Sequence, residues 1–517
     1  MIIKKSAIEE FLKAPRDNWQ SWKNLDLNDL EKIQEHLPIH PPIWKKLLRH
    51  QKICFLLGTE VRRFAFHLKV GMGKTLVALA LIKYFRKIGN VKCTLVLVPN
   101  LSNKVEWADE IEKHSPTTKY MVLQGSSKQK WAQIEENQDT LIFVETYAGL
   151  SRLVSELVPS KKKRGHNRLK PSRELVEKLA SRIDGLVLDE STFVVSRMAL
   201  PYRICHQLQK RAKIVFTLTG TPFGRNPELL WSQFHLLDQG ESLGTTLGLY
   251  RAAFFNAKDN GWGGIDYKFK SFMAPALHRC MGHRSISMKP NPADLPFCTR
   301  IIKEVRLAKD ATSYYSEARR QLFKAKESPQ KIQASFVRMR QISSGFLGYK
   351  DDVGRGAVLF SPNAKLDMLV DILEKITPGE DKVIIFHEFI LSGDMICQNL
   401  KHLELNHVRI GGGAKNAENA LHSFKNNSDI TVLVLNHTAG GFGLNLQVAN
   451  IGIVFESPVS VIMREQIEAR FIRQYSPHKN VWLYDLVAKN TADATILKFA
   501  KEGKDLMKAI VEGEVKF

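Results

Sequence analysis

A short glycine-containing loop carries the residues of this chain that could hold a phosphate group. Residues 71–73 separate an apolar run from a stretch that opens with Lys74 and Thr75 and continues with the apolar spacing of a helix. Glycines allow backbone N–H groups to approach phosphate oxygens, while a helix amino terminus and a lysine add positive charge. The Thr75 hydroxyl is placed to bind Mg²⁺. Because Leu68 stands where the usual pattern has a glycine, an ordinary turn before a lysine-bearing helix remains the alternative.

A pair of carboxylates follows a second apolar run further along the chain. Asp189 and Glu190 come directly after residues 185–188. A bound phosphate chain needs one carboxylate to hold Mg²⁺ and another to align or deprotonate the attacking water. We therefore predict that Asp189 serves the metal and Glu190 the water. The alternative is that Asp189 or Ser191 simply caps a following helix.

Small hydroxyl side chains follow the next predicted strand. Residues 214–218 lead into Thr219, Gly220 and Thr221, and then into Pro222. Ligands gather at the carboxyl edge of a parallel sheet, so these residues are expected beside the acidic pair. Such a segment can sense the terminal phosphate and pass the change to a second site. The alternative is a simple turn.

The second half of the chain offers a glycine-rich turn and a pair of arginines. The turn spans residues 436–446. Gln466, Arg470 and Arg473 follow in a predicted helix, where their i, i+4, i+7 spacing puts them on one face. Two arginines presented from a separate domain suit charge stabilisation in phosphoryl transfer. The alternative is an ordinary salt-bridged helix, because glutamates adjoin them.

Length and composition restrict the kinds of protein in which these motifs could occur. The chain has 517 residues, 44% of them hydrophobic, enough for more than one globular domain. No apolar stretch reaches membrane-span length, and the amino terminus lacks a secretory signal pattern, so we expect a cytoplasmic protein with no membrane partner. The six cysteines contain no C-x-x-C pair, which argues against a zinc site or a disulfide framework. A net charge of +23 favours a polyanionic partner, nucleic acid before anionic membrane.

The predicted elements divide the chain into successive segments. Residues 1–45 are interpreted as a helical accessory element, and alternating strands and helices in 46–240 and 361–517 predict two α/β domains with parallel sheets. Residues 241–360 do not show this alternation of strands and helices and are interpreted as helical inserts and a linker. The basic segment 161–173 is either a solvated insertion or a nucleic-acid contact. The predicted strands are 64–68, 94–98, 140–144, 185–188 and 214–218, then 382–386, 408–410, 431–435, 451–455 and 481–486.

In this order the motifs resemble those of the helicase superfamily 2 ATPases, specifically the Swi/Snf-type double-stranded DNA translocases. Two departures are typical of a divergent, compact member of the kind found in bacteriophages and bacteria. Leu68 and Lys69 replace an acidic pair, and residues 474–476 replace Ile-Gly-Gln. The matching segments are Arg49, His50 and Gln51; 94–99 with Trp107 and Glu110; Thr146 and Tyr147; 189–191; 219–222; Leu295 and Pro296; Arg340, Gln341 and Ile342; 361–366; 382–386; 439–446; Gln466, Arg470 and Arg473; and 491–504.

The resemblance implies two RecA-like domains in tandem, with ATP and Mg²⁺ as cofactors. Gln51 would read adenine, and Arg470 and Arg473 would act from the second domain. The implied nucleotide-binding residues are Gln51, Gly71, Met72, Gly73, Lys74, Thr75, Gly443 and Gln466, with Thr75 and Asp189 on the metal. The implied catalytic residues are Lys74, Asp189, Glu190, Arg470 and Arg473, with Thr219, Gly220 and Thr221 for coupling. The predicted nucleic-acid contacts are Asn100, Lys104, Thr146, Thr438 and Gly440, together with Lys161, Lys162, Lys163 and Arg164 of the basic segment.

The implied function is a nucleic-acid-stimulated ATPase that moves along double-stranded or branched DNA. Branch migration and the remodelling of forks or recombination intermediates, in phage replication or repair within a bacterial host cytoplasm, are the implied settings. A strand-separating helicase on DNA or RNA is the alternative. A non-catalytic nucleic-acid-binding scaffold would predict damage to Lys74, Asp189, Glu190 or the arginines, and all of them are present.

Overall fold

The chain folds as two compact units, Met1–Pro290 and Asn291–Phe517, each built around one large β-sheet. The computed structural model describes residues 5–159, 167–220, 222, 227–259, 264–324, 328–350, 355–376, 381–412, 417–437, 444–474, 476–503 and 506–511. The segment interpreted as inserts, 241–360, contributes elements to both units.

The first unit contains the following elements. Its strands are β1 Arg63–Leu68, β2 Thr94–Val98, β3 Tyr120–Val122, β4 Ile142–Thr146, β5 Ser155–Pro159, β6 Asn167–Pro171, β7 Gly185–Asp189, β8 Ile214–Thr219, β9 Phe255–Asp259, β10 Ile265–Phe269 and β11 Ser285–Met288. Its α-helices are α1 Lys5–Lys13, α2 Leu27–Glu35, α3 Arg49–Val61, α4 Lys74–Lys87, α5 Leu101–His114, α6 Ser127–Glu136, α7 Tyr147–Leu153, α8 Arg173–Arg182, α9 Leu200–Leu208, α10 Leu230–Asp238, α11 Leu247–Phe254 and α12 Ala274–Gly282.

The sheet of the first unit is parallel and covered on both faces. In the described residues its seven strands run in the order β11-β1-β8-β7-β2-β4-β3. Phe64, Phe66 and Leu68 of β1 enter one apolar core while Ala65 enters the other, because successive side chains point to opposite faces. Buried strands with helices on both sides place the polar residues that follow the strands along one edge.

The amino-terminal segment packs on this unit. Trp19 lies in a 3₁₀ helix, Trp19–Asn24, and its indole N–H donates to the His283 carbonyl (2.9 Å). Gln20 Nε2 donates to the carbonyl of Ser285 (2.9 Å), the first residue of the edge strand β11. Trp19 and Trp22 contact each other edge to face and pack against the core. These tryptophans therefore have a packing role.

The second unit is built in the same way from its own elements. Its strands are β12 Phe297–Val305, β13 Phe346–Lys350, β14 Arg355–Leu359, β15 Val383–His387, β16 His407–Ile410, β17 Val432–Asn436, β18 Ile451–Val454 and β19 Asn480–Ala488. Its α-helices are α13 Lys309–Lys324, α14 Pro329–Ser343, α15 Ala364–Lys375, α16 Ile390–His402, α17 Ala417–Asn426, α18 Val461–Glu468, α19 Ala492–Glu502 and α20 Leu506–Val511. Within the described part of this unit, six parallel strands form one sheet in the order β12-β19-β18-β15-β17-β16.

The predicted fold class is confirmed, and every predicted strand is present with bounds shifted by at most two residues. The edge strands β3, β11 and β12 were missed because their short, exposed or serine-rich sequences lack the continuous apolar run of a buried strand. The two-stranded pairs β5 with β6, β9 with β10 and β13 with β14 were not predicted either. All six cysteines lie in described segments, and none forms a disulfide. Among the described helices, none is long and apolar enough to cross a membrane.

Candidate functional site

The predicted phosphate loop connects β1 to α4 at the carboxyl edge of the first sheet. Both glycines adopt the left-handed conformation, with φ of 84° at Gly71 and 71° at Gly73. A Cβ atom at Gly73 would lie 2.3 Å from Gln51 Nε2, so a side chain there would be both strained and blocked. Glycine at this position thus avoids both the backbone strain and the contact with Gln51, and Lys74 opens the helix directly behind it.

Gln51 ties the loop to helix α3. The side chain is 1% exposed. Its Oε1 accepts the Leu48 N–H (2.9 Å), and its Nε2 donates to the Met72 carbonyl (3.2 Å). The His50 ring contacts the same carbonyl at 3.0 Å. In this structure Gln51 therefore holds the loop in shape, and its reading of adenine stays a prediction.

Lys74 lies between the loop and the acidic pair. Its ammonium donates to the Leu68 carbonyl (3.2 Å) and lies 3.8 Å from Glu190 Oε1. The side chain is only 11% exposed. A lysine at the start of a helix, directly after a glycine loop, fits a terminal phosphate.

Asp189 is held in one orientation by three groups. The Trp107 indole N–H donates to its Oδ2 (2.9 Å), and the Glu190 N–H donates to its Oδ1 (3.0 Å). The Tyr147 hydroxyl donates to its main-chain carbonyl (2.7 Å). Burial raises the pKa of Asp189, while the Trp107 hydrogen bond and Lys74 act in the opposite direction. A buried carboxylate with this environment favours a cation beside it.

Glu190 has a strained backbone, with φ of 45°. A left-handed conformation is costly for a residue other than glycine and concentrates at functional sites. Thr219 Oγ1 donates to Glu190 Oε2 (3.3 Å), opposite the oxygen that faces Lys74. Burial raises the pKa of Glu190, Lys74 lowers it, and the Asp189 charge raises it further. The predicted base is therefore oriented by two groups and is easier to protonate than an ordinary glutamate.

The coupling segment contacts both the loop and the acidic pair. A Cβ atom at Gly220 would lie 3.3 Å from the Leu68 carbonyl oxygen, so only a small residue allows this approach. Ser191 Oγ donates to Gln233 Oε1 (2.7 Å), and Gln233 Nε2 donates to the Pro222 carbonyl (2.8 Å). The role of Gln233 was not predicted, because α10 lies apart from every motif in the sequence. Thr221 lies outside the described residues.

The donor set at this edge suits a magnesium ion. Asp189 offers a carboxylate whose orientation is set by Trp107. Thr75 offers a hydroxyl from the first turn of α4. Oxygen ligands of this type, one or two from the protein and the rest from phosphate and water, are what Mg²⁺ takes. The residues present therefore fit the ion.

The predicted common helical face of Gln466, Arg470 and Arg473 is wrong. Helix α18 ends at Glu468, and the N–H of Arg470 bonds to the carbonyl three residues back (3.4 Å). The Leu446 N–H donates to the Arg470 carbonyl (2.9 Å) and holds this tighter turn. Arg470 is 2% exposed, whereas Gln466 and Arg473 are partly exposed.

An ion-pair network anchors the end of α18 to the second sheet. Arg464 forms two hydrogen bonds to Asp485 of β19 (2.6 and 2.9 Å). Glu468 accepts two from Arg300 of β12 (2.9 and 2.6 Å) and one from Arg464 (2.5 Å). Breaking one partner of a buried pair costs about 3–5 kcal/mol. The segment that carries Arg470 thus follows a helix end that is held by ion pairs to β12 and β19.

The predicted nucleic-acid residues of the first unit lie together. Asn100, Lys104 and Thr146 line one cavity of about 480 Å³ at the carboxyl ends of β2 and β4. The Asn100 side chain accepts the Asn103 N–H (3.1 Å) and caps α5. The other predicted contacts, Thr438, Gly440, Lys161, Lys162, Lys163 and Arg164, and the nucleotide residue Gly443, lie outside the described residues.

Comparison with known proteins adds two family matches. Residues 69–350 match the model of the SNF2-related domain, and residues 364–474 match the helicase conserved C-terminal domain. The Uncharacterized ATP-dependent helicase MG018 of Mycoplasma genitalium is 22% identical over 100% of this chain and 46% of its own length. The SWI/SNF-related matrix-associated actin-dependent regulator of chromatin subfamily A containing DEAD/H box 1 of Xenopus tropicalis is 22% identical over 89% of this chain and 49% of its own length. The chain thus spans about half the length of these relatives.

One solved structure is also similar. The Sulfolobus solfataricus SWI2/SNF2 ATPase core in complex with dsDNA is 20% identical, with a TM-score of 0.39. The similarity covers 90% of this chain and 92% of that one.

Proposed function

Because this chain belongs to the SNF2-related family of helicase-like ATPases, we propose that it is a motor that couples ATP hydrolysis to movement along double-stranded or branched DNA. The observation that carries this proposal is the acidic pair beside the phosphate loop. Lys74 Nζ lies 3.8 Å from Glu190 Oε1, and Asp189 is fixed next to it by Trp107. The charged residues of the first unit that the proposal assigns to hydrolysis thus lie together at one sheet edge.

Each residue of this edge has a distinct role in the proposed reaction. Lys74 binds the terminal phosphate and neutralises the charge that develops on it. Glu190 orients the attacking water and takes its proton, while Thr219 holds the carboxylate in place. Asp189 and Thr75 would hold Mg²⁺, which would supply further charge neutralisation. Thr219, Gly220 and Thr221 transmit the loss of the phosphate to the DNA contacts.

The second unit contributes further groups in this proposal. Arg470 and Arg473 add positive charge during phosphoryl transfer, and Gln466 and Gly443 take part in nucleotide binding. Arg470 is almost fully buried in this structure. Arg473 is partly exposed, so it has room to meet a ligand.

The Trp107 hydrogen bond leads to a first prediction. Trp107→Phe removes the N–H donor from Asp189 while keeping an aromatic ring in a fully buried site. Loss of a partner that orients a metal ligand typically weakens metal binding by about tenfold or more. We expect the Mg²⁺ concentration for half-maximal ATPase activity to rise by about tenfold.

A matched variant separates this effect from general loss of packing. Trp131 also donates from its indole N–H, to the Leu153 carbonyl (3.1 Å), away from the acidic pair. Trp131→Phe should therefore leave the Mg²⁺ requirement unchanged. An equal shift in both variants, or none in Trp107→Phe, would contradict the role of Trp107.

DNA is the proposed binding partner because the chain is strongly basic and several of its candidate contacts are lysines or arginines. The net charge is +23, and phosphate contacts give grip without sequence preference. A motor on duplex DNA should hydrolyse ATP faster with duplex or a four-way junction than with single strands. We expect at least about tenfold stimulation by duplex or junction, which is measured as phosphate release without nucleic acid, with single strand, duplex and junction.

The alternative, a strand-separating helicase on DNA or RNA, predicts another pattern. It predicts the highest rate with single strands, or release of a labelled strand from a partial duplex. A translocase instead displaces a triplex-forming third strand without separating the duplex. Stimulation by single strand that equals or exceeds that by duplex would reject the translocase in favour of the helicase.

A further inference from the structure

The cavity lined by Asn100, Lys104 and Thr146 is also lined by side chains that were not predicted to contact nucleic acid. Its volume is about 480 Å³, and its wall includes parts of α5, α6 and α7. The polar side chains that matter here are Asn100, Lys104, Ser126, Lys130, Thr146 and Arg152. Lys130 and Arg152 were not predicted as contacts, because they stand alone in the sequence. Three cationic side chains around one concave surface suit a phosphodiester group.

Glu145 places a full negative charge in the same wall. It is the residue before Thr146 on β4 and is 0% exposed. Its Oε1 lies 2.5 Å from Lys104 Nζ, and its Oε2 contacts Lys130 Nζ. The Thr146 N–H donates to Oε1 (2.7 Å). A Cβ atom at Gly149 would lie 2.3 Å from Oε1, so the adjacent helix turn leaves space for this carboxylate.

The two lysines are held differently. Lys104 Nζ also donates to the Leu123 carbonyl (2.6 Å), and the side chain is 5% exposed. Burial lowers the pKa of the Lys104 ammonium, and Glu145 acts in the opposite direction. Lys130 is 12% exposed, and the ion pair that the structure shows for it is with Glu145. Lys104 is thus a fixed part of the wall, while Lys130 can turn from the carboxylate to a ligand.

We propose that Glu145 competes with the nucleic-acid phosphate for Lys130, and so limits how tightly this cavity holds the backbone. A phosphate that enters replaces one anion by another, so the gain in binding energy is small and the contact is easily released. Easy release suits a motor that must break and remake backbone contacts. The inference rests on the proposed function, since it concerns the proposed DNA contact.

Glu145→Gln tests the competition directly. Glutamine keeps the shape and an acceptor oxygen for the Thr146 N–H, but it removes the charge that holds Lys130. Freed Lys130 adds one phosphate contact, so the plot of log affinity for a DNA duplex against log salt should steepen by about one. At low salt the dissociation constant should fall by roughly threefold to tenfold. Both are measured by fluorescence anisotropy over a series of salt concentrations.

A matched control removes the same charge elsewhere. Glu60 is exposed near the end of α3, just before β1 starts, and so lies at the opposite edge of the sheet from the cavity. Glu60→Gln should leave the salt slope unchanged. In the double variant Glu145→Gln, Lys130→Gln the slope should return to that of the parent chain, because the freed lysine is gone.

Lys130→Gln alone keeps the inference testable if Glu145→Gln fails to fold. While Glu145 is present it holds Lys130, so Lys130→Gln should keep the salt slope of the parent chain. A slope shallower by about one would show that Lys130 already contacts the backbone in the parent chain, and it would overturn the competition. Weaker binding, or an unchanged slope, in folded Glu145→Gln would show that Glu145 does not compete with the backbone. If the parent chain itself does not bind duplex DNA, the proposed function fails as well, and the two failures are thereby distinguished.

Discussion

Replacement of Lys74 by alanine is expected to lower the rate of ATP hydrolysis by about a hundredfold or more. Lys74 is the one cation that the structure shows in contact with the described acidic pair, 3.8 Å from Glu190. Its loss removes charge stabilisation of the terminal phosphate, and one such group is typically worth a factor of 10²–10³. It also raises the pKa of Asp189 and Glu190 further, since Lys74 lowers both. Phosphate release under saturating nucleic acid measures the effect.

Lys87 supplies the matched control for this prediction. It ends the same helix, α4, and is exposed. Lys87→Ala should keep the parent rate, and both variants should melt within a few degrees of the parent chain. Equal hydrolysis in Lys74→Ala and the parent chain would remove the assigned phosphate site altogether.

The second large effect is expected for Glu190→Gln. Glutamine keeps the size and the hydrogen bond from Thr219 but cannot accept a proton from water. General-base catalysis typically contributes a factor of 10²–10⁴, so the hydrolysis rate should fall by about that much. Nucleotide binding should remain, because Lys74 and the loop are untouched. Single-turnover hydrolysis together with binding of a fluorescent nucleotide separates the two steps.

The pH profile gives this prediction an independent readout. Burial raises the pKa of Glu190, so the base is protonated at higher pH than an ordinary glutamate. The parent activity should therefore fall on acidification at a pH above the usual glutamate range, and the residual activity of Glu190→Gln should lack that acid limb. Glu174→Gln, at an exposed position in the first turn of α8, is the control that should retain both rate and profile. A persistent acid limb in Glu190→Gln would assign the titration to another group.

The effects expected for substitution of Trp107 and Glu145 are smaller. They concern residues that support the side chains of the proposed site. Trp107 acts on Asp189 through one hydrogen bond of 2.9 Å. Glu145 acts on two lysines of the cavity wall. Both act by orienting or balancing the charge of groups that the proposed reaction uses directly.

The fold class could be predicted from local patterns in the sequence. Buried parallel strands are continuous apolar runs, and residues 94–98 and 214–218 show this without reference to any neighbour. The loop before Lys74 and the pair Asp189 and Glu190 could be found for the same reason, since each follows such a run directly. Two parallel α/β units were therefore predictable, although the edge strands β3, β11 and β12 of their sheets were not predicted.

Only the tertiary structure decided which side chains from separate segments act on these motifs. Gln51 reaches Met72, Trp107 reaches Asp189 and Gln233 reaches Ser191 across long stretches of chain, and no spacing rule encodes such contacts. The face of Arg470 was mispredicted because α18 ends at Glu468, where ion pairs to β12 and β19 and the bond from Leu446 override the helical spacing. Spacing along the chain determines local geometry, whereas packing between elements determines where a helix stops and which charge a buried lysine meets.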